Sequence, residues 1–227
     1  MRKLAALAAA SAALISAPAV ADDFSFTGNF TQDDNVQLFH FVVGASSNVT
    51  LRTLSYAGGI NAAGATIARG GFDPILALFD SSGNKIGEND DGGCGSVPMD
   101  ISGVCYDTFL TAALTAGTYT VSVMQYDNFA NGPNLSDGFA RDGQGNFTPG
   151  FSGCEASQTA FEDVSDSAAC GRDSHWAFDV LNVASAIEVV PGVPGVPEPA
   201  TWTLMLLGFG GIGLTLRKRK PALSQLA

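Results

Sequence analysis

Positive charge is scarce in this sequence. Only 11 of the 227 residues are Lys or Arg, against 22 Asp and Glu. Five of the 11 lie between residues 22 and 190, a stretch with 21 acidic residues and a net charge of −16. A body of that sign cannot neutralise a phosphate backbone, which excludes nucleic-acid binding. Cysteine is limited to four, none in a CxxC spacing, which argues against a structural zinc site. The two histidines, His40 and His175, sit in alternating strand-like runs beside aromatics, where a histidine is more often packed than catalytic. No GxSxG or HExxH motif occurs, and Gly92-Gly93 and Gly143-Gln144-Gly145 lack the following helix that a phosphate loop needs. Residues 22–190 also lack any sustained 3.6-residue period, which excludes a helical bundle.

What the chain does have begins at its ends. Met1 to Ala21 opens on Arg2 and Lys3, runs apolar from Leu4 to Ile15, and closes on Ala19-Val20-Ala21. These are the parts of a secretory signal peptide, removed at residue 21 after passage through the Sec translocon. At the other end, residues 191–199 form a Pro-rich linker expected to stay extended. An uncharged segment follows at residues 200–216, expected to be a transmembrane helix; 17 residues would cover roughly 25 Å at about 1.5 Å each. The tail, residues 217–227, starts with Arg217, Lys218, Arg219 and Lys220, which place it on the cytoplasmic side.

Val196-Pro197-Glu198-Pro199, a short apolar segment and a basic cluster, in that order, resemble the PEP-CTERM sorting signal of Gram-negative bacteria. The resemblance implies an exported chain whose partner during export is an exosortase, with a transient inner-membrane anchor. It places the processed protein on the cell surface or outside the cell. Proteins with this tail are typical of bacteria that make exopolysaccharide.

Between the ends, residues 22–190 read as one domain of short β-type runs separated by turns. Val36 to Val43, Asn48 to Leu54, Thr118 to Tyr126 and Trp176 to Val183 alternate, while Ile75 to Phe79 is continuously apolar, as for a strand covered on both faces. Ser81 to Asn84 and Ala116-Gly117 supply turn chemistry. Seven or eight such strands predict an all-β, antiparallel β-sandwich. The block from Gly71 to Gly93, holding Phe72-Asp73-Pro74 and Asn89-Asp90-Asp91-Gly92, with Ala116-Gly117-Thr118-Tyr119 after it, resembles the bacterial pre-peptidase C-terminal domain. That resemblance implies a jelly-roll-like sandwich. Residues 127–175 depart from it as a Gly-rich insertion.

Candidate chemistry is confined to loops. Cys94, Cys105, Cys154 and Cys170 admit three pairings; in an oxidising compartment we expect the sequence neighbours Cys94–Cys105 and Cys154–Cys170 to join, each closing one loop. Asp80, Glu88, Asn89, Asp90, Asp91 and Asp107 offer hard oxygen donors suited to Ca²⁺, although solvated Asp-Gly turns are the plainer explanation. Asp80-x-Ser82-x-Asn84 begins like an EF-hand loop, yet Lys85 stands where that loop needs Gly. Tyr126 and Phe129 lead a set of loop aromatics that either stack on sugar faces or pin the insertion to the sandwich; the second is favoured.

Taken together, these readings predict a non-enzymatic surface or matrix protein associated with exopolysaccharide and requiring no cofactor. A Ca²⁺-stabilised accessory domain like those beside secreted hydrolases is the alternative, and an unrecognised secreted enzyme the third. Its large acidic excess restricts any bound polymer to neutral chains or chains bridged by divalent cations.

Overall fold

The alternating runs pair into two antiparallel sheets in a computed structural model that describes residues 20–149, 160–162 and 171–190. In chain order the strands are β1 (Asp22–Asn29), β2 (Val36–Val43), β3 (Ser47–Thr53), β4 (Gly59–Ile60), β5 (Thr66–Ile67), β6 (Pro74–Phe79), β7 (Lys85–Asn89), β8 (Phe109–Leu114), β9 (Gly117–Gln125), β10 (His175–Val183) and β11 (Ser185–Glu188). One sheet has the order β1-β10-β3-β8 and the other β11-β2-β9-β6-β7, while β4 and β5 form a small hairpin. The result is the all-β sandwich that the alternation predicts. No α-helix occurs among the described residues; helical geometry is limited there to a 3-10 turn at Leu135–Asp137.

The period of two decides which residues meet. Phe39, Phe41, Leu76, Leu78, Tyr119, Val121 and Val123 point from the five-stranded sheet into the space between the sheets. There they meet Val49, Leu51, Trp176, Phe178 and Val180 of the four-stranded sheet. Phenylalanine fills this space as a continuous aromatic pile. Phe39 lies 4.8 Å from both Phe26 and Phe178 and meets Trp176 edge-on at 5.6 Å; Phe72 stacks on Phe30 at 5.2 Å and on Phe161 at 5.7 Å. Pairs of this kind each contribute about 0.5–1.5 kcal/mol beyond the area they bury.

The opposite face of the five-stranded sheet is covered too. Ile75, Ala77, Phe79 and Met124 point outward, and residues of the insertion, chiefly Phe129, Ala130, Leu135 and Phe139, close over them. Strand β6 is therefore buried along its whole length, as its unbroken apolar run predicts.

A buried carboxylate holds this cover in place. Asp33, in the β1–β2 loop, is fully buried and accepts hydrogen bonds from the backbone N–H groups of Phe147 (2.7 Å), Thr148 (3.0 Å) and Phe161 (3.3 Å), and from the Thr148 hydroxyl. Its neighbour Asp34 accepts from Gly145 N–H at 2.7 Å, and the Asn128 amide donates to the Asp34 carbonyl at 3.0 Å. A carboxyl group is stable in the interior only with such a set of donors.

Strand β11 was not separately legible. Asn182 adopts φ 66° and redirects the chain, so that β10 pairs in one sheet and β11, two residues on, pairs with β2 in the other. The body, through Glu188, is distinct from a second unit starting at Val189, of which only Val189 and Val190 are described. Residues 1–19 of the signal peptide, the whole linker at 191–199, the expected transmembrane helix at 200–216, the basic tail, Phe151, Cys154 and Cys170 lie outside the described residues. Among the described residues no helix is long and apolar enough to cross a membrane.

Replacing Asp33 with Ala orphans several buried N–H groups at once. We expect it to destabilise the body by at least about 3 kcal/mol in chemical denaturation, since bonds to a charged group contribute about 1.5–3 kcal/mol each. Limited proteolysis should then cut first within residues 127–148; a variant with the wild-type midpoint would show that Asp33 does not anchor the cover.

Candidate functional site: an acidic edge beside two aromatic rings

Asp73 directly precedes the Pro74 that starts β6, and Asp90 and Asp91 directly follow β7. Because β6 and β7 pair antiparallel with Leu76 opposite Asn89, these strand ends fall side by side. One carboxylate oxygen from each of Asp73, Asp90 and Asp91 lies within 4.8 Å of the others. Asp73 is buried, Asp90 partly so and Asp91 exposed.

Tyr126, at the end of β9, donates its N–H to the Asp73 carbonyl at 2.8 Å, which seats its ring beside the cluster. Burial raises its phenol pKa above the ordinary value, and the negative charges of Asp90, Asp127, Asp73 and Asp91 push it further the same way. Phe129 meets Tyr126 edge-on at 5.7 Å, and both rings are half-buried against the outer cluster. Both rings therefore pack the insertion onto the sheet while staying partly exposed, Tyr126 beside the three carboxylates.

The six residues expected to hold Ca²⁺ do not form one ligand set. Asp90 and Asp91 come together, joined by Asp73. Asp80 instead closes its own turn, accepting from Ser82 N–H (2.8 Å), Asn84 N–H (3.0 Å) and the Asn84 amide (2.9 Å). These bonds, led by the Asn84 side chain, lower its pKa. Glu88 pairs with Lys85 at 2.9 Å, and Asn89 accepts from Phe109 N–H at 2.8 Å while donating to the Asp91 carbonyl. Asp107 is fully buried and accepts from the Thr53 hydroxyl (2.9 Å), Tyr56 N–H (3.1 Å) and Ala57 N–H (2.9 Å). Burial nevertheless raises its pKa. Its role is to hold the loop after β3. Sequence reasoning missed Asp73 because it reads as part of a strand entry; folding β6 back on β7 through the Ser81–Asn84 turn would have placed it next to Asp91.

All five cations of the body are committed to internal ion pairs. Arg52 pairs with Asp179 (2.8 Å), Arg69 and Arg172 with Asp100 (2.7 and 3.0 Å), Lys85 with Glu88 (2.9 Å) and Arg141 with Asp127 (2.7 Å). Arg172 is buried, its guanidinium 3.4 Å above the Tyr56 ring and donating to the Tyr56 carbonyl at 2.7 Å. Burial alone would raise the Asp100 pKa, but Arg69, Ser102 and Arg172 outweigh it and hold the carboxyl below the ordinary range.

The histidines are engaged as well. His175 bridges Asp173 and the Ala68 carbonyl, and His40 meets the Thr120 hydroxyl at 3.0 Å. Cys94 and Cys105 form the expected disulfide, closing a loop of 11 residues' separation with Cα atoms 5.1 Å apart.

Residues 195–220 match the PEP-CTERM protein-sorting motif, which includes Val196, Pro197, Glu198, Pro199 and the basic cluster. The motif marks the chain for exosortase-directed export to the envelope or surface of a Gram-negative bacterium. No curated protein matches the chain. Among solved structures, the body is similar to the pre-peptidase C-terminal domain of a collagenase from Bacillus anthracis. The two share 12% identity with a TM-score of 0.33, over 73% of this chain and 89% of the other.

The carboxylates' effect on Tyr126 is directly measurable. In an ultraviolet pH titration Tyr126 should ionise above pH 10, and Asp90→Asn should move its midpoint down. An unchanged midpoint would place Asp90 too far away to act.

Proposed function

We propose that this chain is a non-enzymatic component of the cell surface or extracellular matrix, associated with exopolysaccharide through the Tyr126–Phe129 edge. The observation that carries the proposal is the sorting motif at residues 195–220 behind a body whose five cations are all paired internally. The motif accounts for export. The pairing of every cation accounts for the kind of polymer: a polyanion would meet a large excess of carboxylates, so the partner is neutral or is bridged by divalent cations. Partly exposed aromatic rings among polar groups suit stacking on a sugar face. Exopolysaccharide is therefore the proposed partner, and the body needs no cofactor for that role.

Retention of the purified chain on the host's own exopolysaccharide tests this. Tyr126→Ala and Phe129→Ala should each lower retention about tenfold, since a hot-spot truncation costs on the order of 1–2 kcal/mol. Full retention by a folded double variant would move the contact elsewhere.

A second reading has its own observation. Three carboxylates converging at the β6–β7 end fit a Ca²⁺-stabilised accessory domain, with Asp73, Asp90 and Asp91 as oxygen donors. Millimolar Ca²⁺ should then raise the melting temperature by several degrees relative to chelator, through linkage. Asp73→Asn should abolish the difference; equal melting temperatures in Ca²⁺ and chelator would refute a Ca²⁺ site.

A further inference from the structure

The outer face of the five-stranded sheet has two ends, and the acidic edge occupies one of them. At the other end of β6, the Asp80 turn and the insertion face each other across a concavity of about 420 Å³. Asp80, Ser82 and Gly83 form one wall, Asn134, Leu135 and Ser136 the other, and Thr120 of the central strand β9 the floor. That volume falls in the range of small-ligand sites, about 300–1,000 Å³.

Both walls are fixed. Leu135 N–H donates to the Gly83 carbonyl at 2.8 Å, and Lys85 N–H to the Pro133 carbonyl at 2.7 Å, so the insertion is tied to the turn. Asn134 N–H donates to the Asp137 carboxylate at 2.9 Å and Asp137 N–H to the Asn134 carbonyl at 3.0 Å, which fixes the backbone of this wall. The floor is set by β9, where the Thr120 hydroxyl meets His40 Nδ1 at 3.0 Å across the β2–β9 pair. Polar groups carried on such a braced frame are ordered before a ligand arrives, which lowers the entropy lost on binding.

The composition of the lining selects the ligand. It offers a carboxylate, a carboxamide and several hydroxyls around one leucine, with no Lys or Arg. The nearest ammonium, Lys85 Nζ, is held by Glu88 at 2.9 Å and the Ala130 carbonyl at 3.3 Å. Closely spaced groups that both donate and accept match a ligand made of vicinal hydroxyls. An anionic ligand would meet the Asp80 carboxylate with nothing to offset it.

We infer that this concavity is a second saccharide subsite, taking an uncharged sugar unit of the same polymer that touches Tyr126 and Phe129. The inference rests on the polysaccharide reading above and deepens it. Asp73 and Asp80 flank the two ends of one extended strand, about 23 Å apart at about 3.3 Å per residue. A polymer chain running over the insertion that covers this face has about that distance to span, and each contact raises the effective concentration for the other.

The test uses the full chain and four immobilised probes: a neutral glucan, a neutral galactan, a neutral mannan and alginate, a polyuronate. Ser136→Trp fills the concavity from an exposed position, and Thr120→Val removes the floor hydroxyl at nearly constant volume. We expect retention on at least one neutral polymer, lowered on the order of 10²-fold by Ser136→Trp, since two linked contacts commonly gain 10²–10⁴ over one. Thr120→Val should give a smaller loss, and both variants should keep the wild-type melting temperature; if Ser136→Trp misfolds, Thr120→Val alone decides. Undiminished neutral-polymer retention by folded variants, with loss in Tyr126→Ala, overturns the subsite and leaves the polysaccharide reading standing. No retention of the wild-type chain on any neutral polymer overturns the subsite, and loss of retention on the host's own exopolysaccharide as well overturns the polysaccharide reading. Tighter binding to alginate than to every neutral polymer overturns the uncharged ligand class.

Discussion

The cover on the outer face of this sandwich is fastened at one end by a buried carboxyl group. Asp33 is removed from water entirely and stabilised by donors that arrive from residues 147, 148 and 161. Without those bonds a carboxyl group could not remain in the interior, and the insertion would be left with the bonds of Asp34 to Gly145 and Asn128 and of Asp33 N–H to Asn146. With them, the insertion lies over Ile75, Ala77, Phe79 and Met124 and turns the sandwich into a three-layered body. The Tyr126–Phe129 edge and the Asn134–Ser136 wall are both parts of that same cover. Both candidate contact regions are therefore carried by the same insertion, and the second is tied down as well by Gly83 and Lys85.

The second constraint is the shortage of cations. Five positive side chains serve 21 acidic ones in residues 22–190, and each is used inside the fold. Asp100 takes two of them, and the pairing with buried Arg172 is costly to break from either side, because the remaining charge would be stranded. The consequence is a surface on which the unpaired charges are carboxylates. That is the physical reason to look for neutral partners and not for anionic ones.

Much of the architecture was legible in the residues. The alternation of Tyr119, Val121 and Val123 gives β9 its inward face, the unbroken run of β6 announces burial on both sides, and Cys94–Cys105 pairs as neighbours should. The site was less legible, for a definable reason. Asp33 looks like any loop aspartate until residues more than a hundred positions away bring their N–H groups to it. Asp73 is adjacent to Asp91 only through strand register. Among the six expected oxygen donors, Asp80 and Asp107 read as available carboxylates, yet one closes a turn and the other is sealed inside with raised pKa. Local sequence reports a side chain's donors and acceptors but not which neighbours have already used them.

The place of β10 in the sheet order has a consequence for how the chain becomes a folded protein. It lies between β1 and β3, yet it is among the last parts of the body to be synthesised. A chain made N-terminus first displays β1 and β3 with an open gap between them, and local pairing cannot fill it. The gap closes only once residue 183 is free to enter, when 44 residues of the chain remain beyond it. Until then the core ring of Phe178 and the indole of Trp176 are missing from the aromatic pile. Completion of the fold is thereby tied to delivery of the segment just ahead of the sorting signal, so that a chain interrupted before that point cannot close its sandwich.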